Sequence, residues 1–149
     1  MGSLKLVVVE SPFSSGTTPP ILAVEARNLR YVRAAMRDCL QRKEAPFPSH
    51  ALYTQPGVLD DHDPEERRLG MEAGFAWGAA GDLVAVYLDL GWSRGMREGV
   101  RRATERGTQV EERRLGGAWA ECVSPFACGA CTAEYGNGHA YYCPMWRAV

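Results

Sequence analysis

The pattern of hydrophobic and polar positions predicts alternating strands and helices over the first 115 or so residues. Continuous apolar runs rich in β-branched residues are typical of buried strands, and apolar residues recurring every three or four positions are typical of helices. Predicted strands cover 4–9, 83–88 and 108–112, with at best a short strand at 49–53 after two prolines; predicted helices cover 24–43, 64–80 and 93–106. This alternation predicts an α/β fold with a mostly parallel open sheet and helices on both faces, Rossmann-like or flavodoxin-like.

The ends of the predicted helices carry recognisable signals. Asp63 and Pro64 read as an N-cap followed by proline at the first helical position, and Ser93 reads as the N-cap of the helix over 93–106. Gly107 ends that helix. In the helix over 64–80, the residues predicted to face the core are Leu69, Ala73, Ala76, Trp77 and Ala80.

Composition limits the classes of protein that remain. With 149 residues the chain has room for one α/β domain, expected over 1–116, and for an irregular extension rich in cysteine and aromatic residues over 117–149. A net charge of −1 argues against a general nucleic-acid binder and favours a small-molecule partner. No leader peptide is evident and no apolar run approaches the roughly 20 residues of a membrane span, so we expect a cytoplasmic protein that does not bind membranes.

Five cysteines are odd in number and too few for a disulfide scaffold. Cys39 falls on the apolar stripe of the first helix and is expected in the core. The other four follow the spacing C-x5-C-x2-C-x11-C, with His139 nearby, and are Cys122, Cys128, Cys131 and Cys143. These four are candidate ligands of a structural zinc ion; free or packed thiols, or disulfides, are the alternatives.

The strongest functional signal lies around residues 83–98. The strand over 83–88 ends at Asp89, and after a short turn Ser93 opens a helix that carries Glu98 in its second turn. Ligands of parallel sheets bind at this edge, where free N–H groups of a helix can hold an anion such as phosphate. Glu98 would lie close enough to act on an attached group. The alternative is an exposed helix residue paired with Arg94 and Arg102.

Several short motifs, taken in order, resemble those of the nucleoside 2-deoxyribosyltransferase superfamily, which includes nucleotide N-glycosidases. The resemblance covers about residues 4–114 and is closest to a small bacterial and phage branch. The motifs are Ser11-Pro12-Phe13, Asn28 with Tyr31, Pro48-Ser49-His50, Leu59-Asp60-Asp61, Glu66-Arg67, Asp82, and Ser93-Arg94-Gly95-Met96-Arg97-Glu98.

The resemblance implies a covalent mechanism. The position matching the family's nucleophile is Glu98, which would attack the anomeric carbon of a ribose or deoxyribose and release the base. Asp82 or a neighbouring acid would orient the sugar or protonate the base, and Ser93 and Gly95 would help to bind the 5′ end. Where the transferases carry an aspartate six residues before the glutamate, this chain has Trp92.

The resemblance also implies a wider set of substrate contacts. Phe13 lies where an aromatic ring could stack on the base, although it could equally be a core residue. His50, Asp60 and Asp61 would contact sugar hydroxyls or the leaving group; solvated loop residues are the alternative. The remaining residues of the implied substrate site are Ser11, Asn28 and Met96.

The expected function is therefore cleavage or exchange of the N-glycosidic bond of a nucleoside or nucleoside 5′-monophosphate. No cofactor is required for this chemistry. A non-catalytic nucleotide or nucleotide-sugar binding module, serving as a sensor or in phage defence, is the alternative, and a zinc-dependent interaction protein is a third. By analogy with the family we expect a homodimer or homotetramer.

Overall fold

The structure is a computed structural model that describes residues 2–117 and 119. It is an α/β domain with a four-stranded, entirely parallel sheet in the order β2-β1-β3-β4. The elements along the chain are β1 (Lys5–Glu10), α1 (Leu22–Gln41), β2 (Glu44–Phe47), α2 (Ser49–Tyr53), α3 (Pro64–Gly78), β3 (Leu83–Tyr87), α4 (Arg94–Glu105) and β4 (Gln109–Arg113). The α/β class, the parallel sheet and the single domain predicted from the sequence are confirmed.

The strand order places β1 and β3 in the middle of the sheet. Val7 pairs with Leu83 and Glu10 with Val86, so the two strands run side by side to their carboxyl ends. This order is that of the first four strands of flavodoxin-like sheets. Contacts divide the chain into two compact units, Met1–Leu115 and Gly116–Val149, and nearly all of the second unit lies outside the described residues.

Helices cover both faces of the sheet, and the two faces differ in composition. On one face α1 buries Tyr31, Val32, Ala35 and Cys39 against the sheet, and Cys39 Sγ lies 3.2 Å from the hydroxyl of Tyr87. The core position predicted for Cys39 is thus confirmed. On the other face α4 closes an apolar cluster of strand and helix residues, namely Val8, Val84, Val86, Leu88, Met96 and Ala103.

The expected strand over 49–53 is wrong. The second strand lies earlier, at Glu44–Phe47, and residues 49–53 form the short helix α2. Pro46 is tolerated in β2 because this strand is at the edge of the sheet, where one side of the ladder has no partner strand. Pro48, with extended backbone angles, is the N-cap of α2, so the proline precedes the helix instead of preventing it.

The predicted core face of α3 is also wrong. Leu69 is 54% exposed and Trp77 is 58% exposed, whereas Gly74 and Gly78 are buried. Glycine forms the packing side because the neighbours come too close for a side chain. A Cβ atom at Gly74 would lie 2.6 Å from Ser49 Oγ. Leu69, Ala76 and Trp77 of α3 are therefore exposed.

The helix boundaries agree closely with the sequence signals. Asp63 accepts hydrogen bonds from the backbone of Glu65 and Glu66 at the start of α3, with Pro64 in its first turn. Ser93 caps α4, and Gly107 follows that helix with a φ of 76°. None of the helices in the described part of the chain combines the length and apolar composition needed to cross a membrane.

Candidate functional site

The strand order predicts a ligand site at the carboxyl ends of β1 and β3. The chain leaves β1 for α1 on one face and leaves β3 for α4 on the other, so the connections diverge between these two strands. Ligands of open parallel sheets bind at such a point. We call this position, between the carboxyl ends of β1 and β3, the switch point.

Glu10 ends β1 at the switch point. Because side chains alternate along a strand, Glu10 shares with Val8 the face that α4 covers. Its carboxyl group lies against Gly99 in the second turn of α4, where an added Cβ atom would be 2.2 Å from Oε1 and 2.8 Å from Cδ. The absence of a side chain at Gly99 is what allows the carboxyl group to approach the helix so closely.

The surroundings of Glu10 favour its protonated form. No hydrogen bond or ion pair reaches its carboxyl group from the residues that the structure describes. Burial raises the pKa of Glu10 from 4.5 to about 8. At neutral pH the group therefore carries a proton, and a protonated carboxyl group can donate it to a ligand.

Four of the predicted substrate-binding residues are brought together beside the end of β1. Ser11 Oγ lies 2.8 Å from His50 Nε2, and the His50 ring meets the ring of Phe13 edge-on, with centroids 6.4 Å apart. The buried amide of Asn28 donates to the carbonyl oxygen of Phe13 at 2.7 Å. The loop after β1 is thereby fixed to both α1 and α2.

His50 is neutral in this cluster. Burial lowers its pKa from 6.5 to about 4, so the ring carries no charge at neutral pH. A neutral ring has one donor and one acceptor nitrogen. It can exchange a hydrogen bond with Ser11 and still offer its other nitrogen to a ligand.

The first turn of α4 holds three predicted site residues in different settings. Ser93 Oγ accepts a hydrogen bond from the backbone N–H of Met96 at 3.2 Å. Gly95 is partly exposed, with no atom closer than 3.9 Å to an added Cβ. Met96 is only 1% exposed and belongs to the apolar core. Direct contact of its side chain with a substrate does not fit this placement.

Glu98 is held by two arginines. Its carboxylate accepts from Arg101 at 2.7 and 2.9 Å and from Arg102 at 2.8 Å, and its side chain is 30% exposed. These hydrogen bonds, with that of Arg101 the larger, lower the pKa of Glu98 to about 2. The carboxylate is thus ionised, as a nucleophile must be, but both of its oxygens are occupied by guanidinium groups.

Asp82 lies at the opposite edge of the sheet. It precedes β3, where its Oδ2 accepts from the backbone N–H of Leu6 at 2.8 Å while its own N–H donates to the carbonyl oxygen of Leu6. These bonds extend the β1–β3 ladder at the amino ends of the strands. A catalytic role for Asp82 does not fit this position, because substrates of such sheets bind at the other edge.

The acidic loop before α3 forms its own ion-pair cluster. Asp61 pairs with Arg67, and His62 Nε2 lies 3.3 Å from Glu25 of α1. Burial raises the pKa of Asp61, although Arg67 opposes this change. Asp60 accepts from the backbone N–H of His62 at 2.9 Å. The structure shows Asp60 and Asp61 bonded within this loop and to α3, separate from the contacts around His50.

The acid that follows β3 has a structural partner. Asp89 Oδ2 accepts from the hydroxyl of Tyr31 at 2.5 Å and from the backbone N–H of Leu115 at 2.9 Å. These bonds join α1 to the segments after β3 and β4. Asp89 is therefore already engaged at the carboxyl edge.

The described residues contain no cluster of three or more His, Cys, Asp or Glu side chains that could hold a metal ion. The predicted zinc site lies outside the described residues, and its ligands Cys122, Cys128, Cys131 and Cys143 stay a prediction.

Sequence reasoning missed Glu10, which lies one residue beyond the strand predicted over 4–9. Two signals were available. Glu10 continues the alternation of Val8 along β1, which points it toward a buried face, and a glycine directly follows Glu98 in α4. An acid in phase with the core, opposite a glycine in a neighbouring helix, indicates a buried carboxyl group.

Comparison with known proteins gives a family without an assigned activity. No curated protein matches the chain. A family model described as a domain of unknown function (DUF7768) matches residues 5–113, the whole span from β1 to β4. The chain belongs to this family.

Proposed function

We propose that this protein cleaves or exchanges the N-glycosidic bond of a nucleoside or nucleoside 5′-monophosphate bound at the switch point. The observation that carries the proposal is the contact cluster of Ser11, Phe13, Asn28 and His50 beside the end of β1. The resemblance to deoxyribosyltransferases assigns these four residues to substrate. Their convergence at a ligand-binding edge supports that assignment.

In this proposal Glu98 is the nucleophile. Its ionised carboxylate would leave Arg101 and Arg102 to attack the anomeric carbon, and the covalent sugar ester would then be opened by water or by a second base. Phe13 would stack on the base. The N-terminus of α4 at Ser93 and Gly95 would receive the 5′-phosphate when one is present.

Base release from nucleosides tests the proposal. The purified protein would be incubated with the common ribonucleosides, 2′-deoxyribonucleosides and their 5′-monophosphates, and free base measured by chromatography. We expect release from at least one substrate, abolished in Glu98→Gln and retained in the control Glu105→Gln, which removes an exposed acid from the same helix. A second base in the mixture separates transfer from hydrolysis. Release unaffected by Glu98→Gln would remove Glu98 from the mechanism.

A specific observation favours the alternative of a binding module without turnover. Arg101 and Arg102 occupy the Glu98 carboxylate, which lowers its basicity and its availability for attack. A binding module would be stabilised against heat by a nucleotide that stays intact during long incubation. Nucleotide breakdown under the same conditions would exclude this alternative.

The proposal includes a homodimer or homotetramer in the cytoplasm. Support for self-association comes from α3, whose apolar residues face outward around an open pocket lined by Ala73, Ala76 and Trp77. A monomeric mass by light scattering at working concentration would contradict it.

A further inference from the structure

We propose that Glu10 is the catalytic acid that protonates the departing base, and that glycine at position 99 is what admits its carboxyl group to α4. This inference rests on the N-glycosidic cleavage proposed above and adds a residue that the resemblance does not supply.

The role needs an acid at the carboxyl edge, and neither Asp82 nor Asp89 provides it. Asp82 lies at the amino edge, and Asp89 is bonded to Tyr31 and to the backbone of Leu115. Glu10 lies at the last paired position of β1, next to β3, where the chain connections diverge. It is therefore the acid that the topology places at the switch point.

The setting of Glu10 differs from that of a structural acid in this protein. Glu44, which is buried, is held by Arg113 through two hydrogen bonds of 2.6 and 2.8 Å. In the described part of the chain Glu10 has no such partner. Glu10 is partly exposed at the end of β1, and without a partner in the described part of the fold its carboxyl group is free to bond a ligand.

Gly99 supplies the second observation. An alanine there would place its Cβ atom 2.2 Å from Glu10 Oε1, well inside contact distance. The carboxyl group thus occupies the space that a side chain in α4 would fill. Glu98, the proposed nucleophile, is the residue before Gly99. It therefore belongs to the same turn of α4 that the Glu10 carboxyl group approaches.

The charge state of Glu10 suits an acid. Burial is the sole cause of its raised pKa, and no ionised group among the described residues opposes it. Gly99 of α4 lies against the Glu10 carboxyl group, and Ser11, the next residue along the chain, contacts the neutral ring of His50. Glu98, on the same turn as Gly99, is ionised and paired with its arginines. The two acids therefore differ in protonation at neutral pH, as acid and nucleophile must.

A Glu98 oxygen forms a bond to C1′ while the C1′–N bond breaks and its electron pair passes to the base. The Glu10 proton moves to a ring nitrogen or to the exocyclic oxygen of the base, which leaves neutral. Water then attacks C1′, gives a proton back to Glu10, and releases Glu98 as a carboxylate.

A comparison of leaving groups tests Glu10. Two substrates would be used: the nucleoside that the wild-type protein cleaves fastest, and the p-nitrophenyl glycoside of the same sugar, whose nitrophenolate leaves without protonation. We expect Glu10→Gln to lower base release about 10²–10⁴-fold and to change nitrophenolate release less than about tenfold. Glu98→Gln should abolish both, and the control Glu105→Gln should change neither.

Two further measurements keep the test independent of the nitrophenyl substrate. Base release by the wild-type protein should fall as the pH rises through about 8, and Glu10→Gln should lack this fall. Gly99→Ala, which displaces the carboxyl group, should reproduce the selective loss on the nucleoside while circular dichroism shows the fold retained.

The outcomes separate the two proposals. Equal losses on both substrates in Glu10→Gln, or an unchanged alkaline limb, would overturn the role of Glu10 and leave the proposed function standing. A wild-type protein that releases neither base nor nitrophenolate from any substrate would overturn the proposed function and this inference with it.

Discussion

The two faces of the sheet bury polar groups in opposite ways. On the α1 face, buried polar side chains bond to one another: Tyr31 to Asp89, Cys39 to Tyr87, and Arg113 to Glu44. Under α4 the core is hydrocarbon, and the acid at its end, Glu10, has no partner among the described residues.

The difference separates structural polar groups from candidate functional ones. The bonds within a buried pair compensate for the loss of hydration of its two members. Removing either member leaves the other buried without a partner, which lowers the free energy of unfolding. Glu10, which is partly exposed and has no partner among the described residues, has no such explanation within the fold.

The largest expected effect comes from breaking the buried ion pair. Arg113→Met leaves the Glu44 carboxylate buried without its partner, because the Arg113 side chain is 3% exposed and that of Glu44 11% exposed. We expect a loss of about 3–5 kcal/mol in the free energy of unfolding, measured by urea denaturation. The control Arg42→Met, which breaks an exposed pair with Asp38, should cost less than about 1 kcal/mol. A similar loss of unfolding free energy in Arg113→Met and Arg42→Met would contradict the difference expected between a buried and an exposed ion pair.

The next effect is a dependence of stability on pH. In the unfolded chain Glu10 loses its proton near pH 4.5, whereas in the folded protein it does so near 8. Between these values the folded state holds a proton that the unfolded state has lost, so stability falls as the pH rises. Glu10→Gln removes this loss.

The advantage of Glu10→Gln over wild type should thus be least below pH 4.5, grow as the pH rises, and level off above about pH 8. Denaturation at several pH values would measure it. The matched control is Glu112→Gln, an exposed acid on β4, which should show no gain with pH. A constant difference across the range would mean that Glu10 is ionised in the folded protein.

A smaller loss is expected from the α1 face. Tyr31→Phe removes the hydroxyl that donates to Asp89 and accepts from its backbone N–H. We expect a loss of about 1.5 kcal/mol by thermal denaturation, because both groups of Asp89 lose a bond. Tyr53→Phe is the control and should leave stability nearly unchanged. A Tyr31→Phe variant as stable as wild type would show that the bond contributes nothing.

Local signals in the sequence predicted most of the fold. Helix starts at Asp63 and Ser93 follow from side chains that bond to their own helix, and buried strands follow from continuous apolar runs. The outward face of α3 could not be predicted in this way. Its packing side is set by how closely Ser49 approaches Gly74, which is a distance between segments far apart in the chain.

The candidate site was predictable only in part for the same reason. The motif order implied that Ser11 and His50 contact the same substrate, and the structure places their side chains 2.8 Å apart, whereas the position of Asp82 depends on which end of β3 it occupies. Glu10 required knowing that β1 lies beside β3 and beneath α4. Strand order depends on contacts between segments far apart in the chain, so the sequence of any one segment does not predict it.

Pro46 in β2 has a consequence for assembly. The outer strand on that side lacks an N–H at this position and cannot offer a regular ladder to an incoming strand. On the far side β4 carries Glu111 and the exposed Glu112, acids that discourage strand addition there. Within the described residues both edge strands thus disfavour pairing with a further strand, which limits edge-to-edge aggregation.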